Sequence, residues 1–266
     1  LAESVAQADY SLLPKDRSFS RSLPAFLLPY AAYVGLGSLS PGPLSPETAG
    51  LLRLLIVPAL IGFFRGSYRF GPSLTRRQLL IGFAASVAAT LLWVLSYRFS
   101  LSMPWWRPHP AAAEAFRPST TYWILRTVNS VLWVPIFEEL LCRGYLCELL
   151  YGNAPAAPAS GASRSGAPPS GASAGSGPDL GRRLDERPSA LTAPPLSAFS
   201  IIGSTALFTL GHGMSAWLPA ALWFGFTTWV YARTRSFRVC ILMHALTNLA
   251  IALAVARYPG LRFLWF

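Results

Sequence analysis

Apolar and polar positions alternate in long blocks along this chain. After a polar stretch at 1–22, seven apolar runs follow: Leu23–Leu39, Gly50–Phe64, Gln78–Tyr97, Thr121–Tyr151, Ala198–Gly213, Ala216–Ala232 and Phe237–Ala256. A helix crossing a bilayer needs about 20 apolar residues. Gln78–Tyr97 carries no charge and is the clearest span; Gly50–Phe64 is short, and "GHGMSAW" leaves only a tight turn between the fifth and sixth runs. The pattern predicts an all-α protein, a polytopic bundle of about seven transmembrane helices.

One block breaks the pattern. Residues 152–197, with the text "APAAPASGASRSGAPPSGASAGSGPDLG", are rich in Pro, Gly, Ser and Ala. Such a composition cannot bury a core, and a disordered cytoplasmic insert is expected.

Composition supports the membrane reading. The chain of 266 residues is 53% hydrophobic and 12% charged, against roughly 25% charged in soluble domains. Its net charge of +11 is almost all arginine, with Lys15 the one lysine. The arginines form short clusters between runs, without a basic helix face or a nucleic-acid motif, so nucleic acid is not an expected partner. The arginine bias fits a GC-rich bacterial coding background. Fourteen basic residues fall in the tail and the second, fourth and sixth connections, against five on the other side. The positive-inside rule then places the N-terminus in the cytoplasm and the C-terminus outside, most simply in a bacterial inner membrane. Trp105, Trp106, Trp217 and Trp265 stand near run ends, as interfacial anchors do. Cys142, Cys147 and Cys240 lie in apolar runs with no CxxC, which points to buried free thiols. The chain opens on Leu1 without a signal-peptide pattern, the start expected of a trimmed chain or of one continuing from an upstream segment.

Charge returns inside the apolar runs at a few places. "PIFEELLCRGYL" carries Glu138, Glu139 and Arg143. On a helix Glu139 and Arg143, four apart, share a face and can pair. Glu138 points about 100° away and is left to face something else. Pro135 removes a backbone bond just before it and bends the helix. "FTLGH" puts Phe208 and His212 at the same spacing, and "HALTN" does so for His244 and Asn248. At 1.5 Å per residue, Glu138 and His212 lie about 20 Å deep and His244 about 10 Å, all inside a slab of roughly 30 Å. Each group alone has a structural explanation: an ion pair, a helix-end histidine, an interhelical hydrogen bond. Together they define a site, because intramembrane ionisable residues are rare and functional by default. His109, in "WWRPHP", reads as interfacial. Arg126, Asn129 and Ser130 read as supporting or packing residues of the fourth run.

Two carboxylates, two imidazoles and a carboxamide in a dry pocket suit hydrolysis by activated water. Glu138 would act as general base with His212 orienting the same water, while His244 and Asn248 donate to the oxyanion of an attacked amide. Arg143 would hold Glu139. No cofactor is required on this reading. A zinc ion held by Glu138, His212 and His244 is the competing reading, although HExxH is absent.

The order Glu138-Glu139-x-x-x-Arg143, Phe208-x-x-x-His212, His244-x-x-x-Asn248 on successive apolar helices resembles the CAAX-protease and bacteriocin-processing family of intramembrane proteases. "RGYL", "ALFTLGH" and "RTRSFRVCILMHALTNL" resemble it too, over roughly Thr121–Ala256. The resemblance implies a helical membrane endopeptidase. Glu138 and His212 would activate water, and His244 and Asn248 would form the oxyanion hole. Members have also been described as metalloproteases. Among subgroups the chain is similar to the bacterial proteins found with exosortase sorting systems.

The expected organisation is a polar tail 1–22, membrane helices 23–120, a catalytic core 121–256 holding the insert 152–197, and a C-terminal tail 257–266. Expected partners are the lipid bilayer and a membrane protein or lipid-anchored peptide as substrate. The alternatives are a non-catalytic immunity or scaffold protein keeping the fold, and a proton-using transporter; against the latter, no inverted repeat is seen.

Overall fold

Four helices begin at a hydroxyl cap, and these caps set where the apolar runs become helix. The structure, a computed structural model, describes residues 19–40, 42–68, 70–103, 119–152, 196–258, 261 and 264. Seven helices stand among them: α1 (Phe19–Ser38), α2 (Pro46–Phe63), α3 (Arg76–Ser102), α4 (120–152), α5 (Ala198–Leu210), α6 (Trp217–Thr234) and α7 (Phe237–Arg257). Ser45 accepts from the Thr48 N–H and Pro46 follows at the first turn, so α2 starts before its apolar text does. Thr75 and Gln78 form a reciprocal capping box that starts α3. Ser119 and Ser197 cap α4 and α5 in the same way. Each cap contributes about 1 kcal/mol.

Among the described residues the regular structure is all helical, with short 3₁₀ turns between some elements. By length and composition α2, α3 and α7 are long and apolar enough to cross a membrane; α2, which its apolar text makes short, reaches 18 residues because the Ser45 cap starts it at Pro46. The apolar part of α1 and the whole of α5 are shorter. The insert, His109, Trp105, Trp106 and Trp265 lie outside the described residues.

α3 shows how the bundle packs. Leu80, Phe83, Val87, Leu91 and Leu95 are exposed, while Gly82, Ala85, Ser86, Ala89 and Ser96 face inward. Large residues out and small residues in is the membrane arrangement, where close backbone approach substitutes for a hydrophobic drive. α3 packs along α6 and α7. At Gly82 a methyl group would stand 3.0 Å from Leu242 Cδ2 on α7. α1 pairs with α2, α2 leans on the first half of α4, and α5 lies between the end of α4 and α6.

α4 is irregular, and its irregularities are located. Its backbone widens into π-helical turns at Asn129–Trp133 and Leu140–Leu146. Val134 N–H bonds to Asn129 O and Cys147 N–H to Cys142 O, five residues back in each case. Such wide turns cluster at functional sites.

Candidate active site

The first polar group is anchored deep in the protein. Arg143 pairs with Glu139 across one turn of α4. The guanidinium also donates to Thr227, to Thr228 at 3.3 Å and to the Phe224 carbonyl at 3.3 Å on α6, and lies 4.2 Å over the Phe224 ring. Glu139 and Arg143 are both almost fully buried. Thr227 and Thr228 are the hydroxyl acceptors that α6, otherwise largely aromatic and apolar there, offers to this buried charge.

Glu138, one position on, is turned away from Arg143 and remains partly exposed at 16%. Facing it is His244 of α7, whose Nε2 stands 3.7 Å from Glu138 Oε2. The other ring nitrogen of His244, Nδ1, lies 3.3 Å from Glu139 Oε1. One imidazole therefore sits between the two carboxylates, its Nδ1 edge held by the carboxylate that Arg143 holds. The Trp223 ring packs edge-on against it, centroids 4.5 Å apart.

His212 follows the end of α5, in the turn toward α6. Its Nδ1 donates to the Phe208 carbonyl at 2.9 Å. Because a carbonyl only accepts, the proton of the neutral ring sits on Nδ1 and Nε2 carries the lone pair. Phe208 stacks near His212 at 4.7 Å and against Phe224 at 4.7 Å. Trp217 Nε1 donates to the His212 carbonyl at 2.9 Å, tying down the turn.

Asn248 reaches from α7 to α4. Its Nδ2 donates to the Ser130 carbonyl at 2.7 Å. Ser130 lies in the first wide turn, where Val134 already bonds to Asn129. The next donor in that register would be residue 135, a proline without an N–H. Pro135 thus leaves the Ser130 carbonyl open, and Asn248 fills it.

All these groups meet around one cavity of about 150 Å³, room for several waters. Glu138, Phe208, His212, His244 and Asn248 line it, with Trp93, Arg126, Ser130, Val134, Trp223, Thr247, Ile251 and Leu264. Glu139 and Arg143 stand behind it. Reading the sequence gave Arg126 and Ser130 only a supporting place; both are in the cavity wall. Trp93 and Trp223 were not anticipated at all. Among the described residues no set of three His, Cys, Asp or Glu side chains is arranged to hold a metal ion.

The family model described as "Type II CAAX prenyl endopeptidase Rce1-like" matches residues 120–250. Residues 120–250 are a CAAX-endopeptidase family domain. The family is one of proteases, so the domain is an enzyme domain acting on protein or peptide. It begins with α4 and reaches into the second half of α7, and so contains every polar group described above. No curated protein and no solved structure matches the chain.

Proposed function

We propose that this chain is an intramembrane endopeptidase that hydrolyses a peptide bond of a membrane-associated or lipid-anchored substrate. The observation that carries the reading is the convergence of Glu138, His212, His244 and Asn248 on one cavity inside a helical bundle. Glu138 takes the proton of a water in the cavity. The lone pair on His212 Nε2 accepts from the same water and aims it at the scissile carbonyl. His244 and the second N–H of Asn248 donate to the oxygen that becomes negative. The first N–H of Asn248, spent on Ser130, holds the carboxamide in place. Glu138 then returns its proton to the leaving amine.

The position of His244 favours a second reading of its own part. Glu139 on Nδ1 leaves Nε2 with the lone pair whenever the ring is neutral, the arrangement of a base oriented by a carboxylate. In that version His244 shares the water with Glu138, and Asn248 is left as the oxyanion donor. The two versions differ in what His244→Gln does. A carboxamide restores a donor but not a base.

All seven helices would cross the membrane, with the N-terminus in the cytoplasm, as the arginine clusters require. Within the family, we group the chain with the exosortase-linked bacterial members on overall sequence resemblance alone. The test is purified full-length protein in detergent with tagged membrane peptides, comparing wild type with Glu138→Gln, His212→Ala, His244→Gln and Asn248→Ala, with and without a chelator. Cleavage lost in the first two and preserved in chelator supports the reading. Cleavage unchanged in Glu138→Gln and His212→Ala would sink it, and cleavage abolished by chelator alone would hand the water to a metal.

A further inference from the structure

The cavity has a charge at each end. Glu138, beside His244, forms one end, and Arg126 lines the same wall from the first turns of α4. Arg126, Ser130, Val134 and Glu138 all line it from α4, and His244, Thr247, Asn248 and Ile251 line it from α7. The α4 row runs at a spacing of four. In a regular α-helix such a row drifts about 40° per step. The wide turn at Asn129–Trp133 takes up that drift and keeps Arg126 on the face that presents Glu138. The result is a trough between two helices, anionic at one end and cationic at the other.

Arg126 is also positioned. Its Nη1 donates to the Tyr122 hydroxyl at 2.7 Å, one turn earlier, so the guanidinium is directed toward the start of α4 and away from Glu138. A guanidinium cannot lose its proton, and its planar fork matches a carboxylate with two parallel hydrogen bonds. In a low-dielectric trough that pairing discriminates strongly against a neutral group.

We propose that Arg126 is a substrate-anchoring residue, and that the substrate carries a carboxylate about five residues from the bond that is cut. The spacing follows from α4 itself: 126 to 138 is about 18 Å along the helix, and an extended peptide advances about 3.4 Å per residue. The carboxylate is an acidic side chain or the peptide's own C-terminus. This inference rests on the endopeptidase reading for what the anchor serves, and not for whether the anchor binds.

The experiment separates the two. Short fluorescein-labelled apolar peptides in detergent are made as two neutral–anionic pairs: C-terminal amide against free acid, and internal Gln against Glu. Affinity is measured on the full chain carrying Glu138→Gln, alone and combined with R126Q or R126K, and cleavage is measured on wild type and on R126Q. One anionic peptide should bind roughly tenfold tighter than its neutral twin, and the pair showing the gap identifies the carboxylate's source. R126Q should erase the gap, and R126K, a point charge in place of a fork, should narrow it to a few-fold. In wild-type cleavage the gap should appear in KM. A gap that survives R126Q, or is unchanged in R126K, or is absent from both pairs, overturns the proposal. A charge gap in binding with no cleavage of any peptide by wild type would count against the endopeptidase reading and leave the anchor standing. Cleavage without a charge gap would do the reverse.

Discussion

Asn248 on α7 donates to the carbonyl of Ser130 on α4 at 2.7 Å, and the proline at 135 is why that carbonyl is open to accept it. A helix-breaking residue and a carboxamide on another helix are two halves of one contact. Pro135→Ala supplies the missing N–H, which competes for Ser130 and frees Asn248 to swing. The expected outcome is a fall in kcat of about tenfold or more with little loss of thermal stability, read by peptide cleavage and by unfolding in detergent. Asn248→Ala should be worse on both counts. It removes the proposed oxyanion donor, an expected loss of roughly 10²–10³ in kcat, and takes its hydrogen bond from the part-buried Ser130 carbonyl, a net cost of about 0.5–1.5 kcal/mol.

The two neighbouring glutamates should separate cleanly. Glu138→Gln removes the proposed base and should abolish turnover, while the melting temperature moves little, because the side chain is partly exposed and its facing group is 3.7 Å away. Glu139→Gln should lower the melting temperature, since it leaves the Arg143 charge buried without its partner. Side-by-side melting and cleavage assays check this; equal stability losses in the two variants would contradict it.

Arg143→Met leaves Glu139 buried beside His244 with its cation gone, a change expected to cost about 3–5 kcal/mol. Glu139→Met added to Arg143→Met should recover most of that stability without recovering activity, since His244 then loses the group that holds its Nδ1. Thermal unfolding of the single and double variants reads the coupling.

Gly82 and Gly62 make a matched pair for packing. Gly82→Val pushes into Leu242 and should destabilise by about 1–3 kcal/mol through the α3–α7 contact. Gly62→Val on α2 has open space around its new side chain and should stay near wild type. Melting curves of both in the same detergent decide it.

The residues that can be read from spacing alone were legible. Glu139 and Arg143 are four apart on one helix, and the chain puts them together. The split between Glu138 and Glu139 follows from a 100° rotation: only Glu139 meets Arg143, although both carboxylates approach His244. What joins elements was not legible. Thr227 and Thr228 hold Arg143 across 84 and 85 positions of sequence, and nothing local to either partner announces the other. The length of α2 was underread because hydropathy sees apolar text and not the cap at Ser45, and that of α3 chiefly because the helix runs on past Tyr97 through the polar text at 98–102. The position of His244 between two carboxylates depends on the register of α7 against α4, which no single-helix periodicity contains.

The wide turns of α4 carry one more consequence. Each holds a residue more than a regular helix would need for the same advance, which makes α4 a helix with slack wound into it. Delete one residue within 129–133 and that slack is taken out. The backbone can then close into ordinary turns with its hydrogen bonds intact, so the helix itself would survive. At 100° per residue, one residue fewer gives back the turn that the wide stretch already holds, so everything after the deletion keeps its facing relative to everything before it. Glu138 and Arg126 would still share the trough. The same deletion in a regular stretch between them would swing one of the two out of it, with every side chain of the site still present.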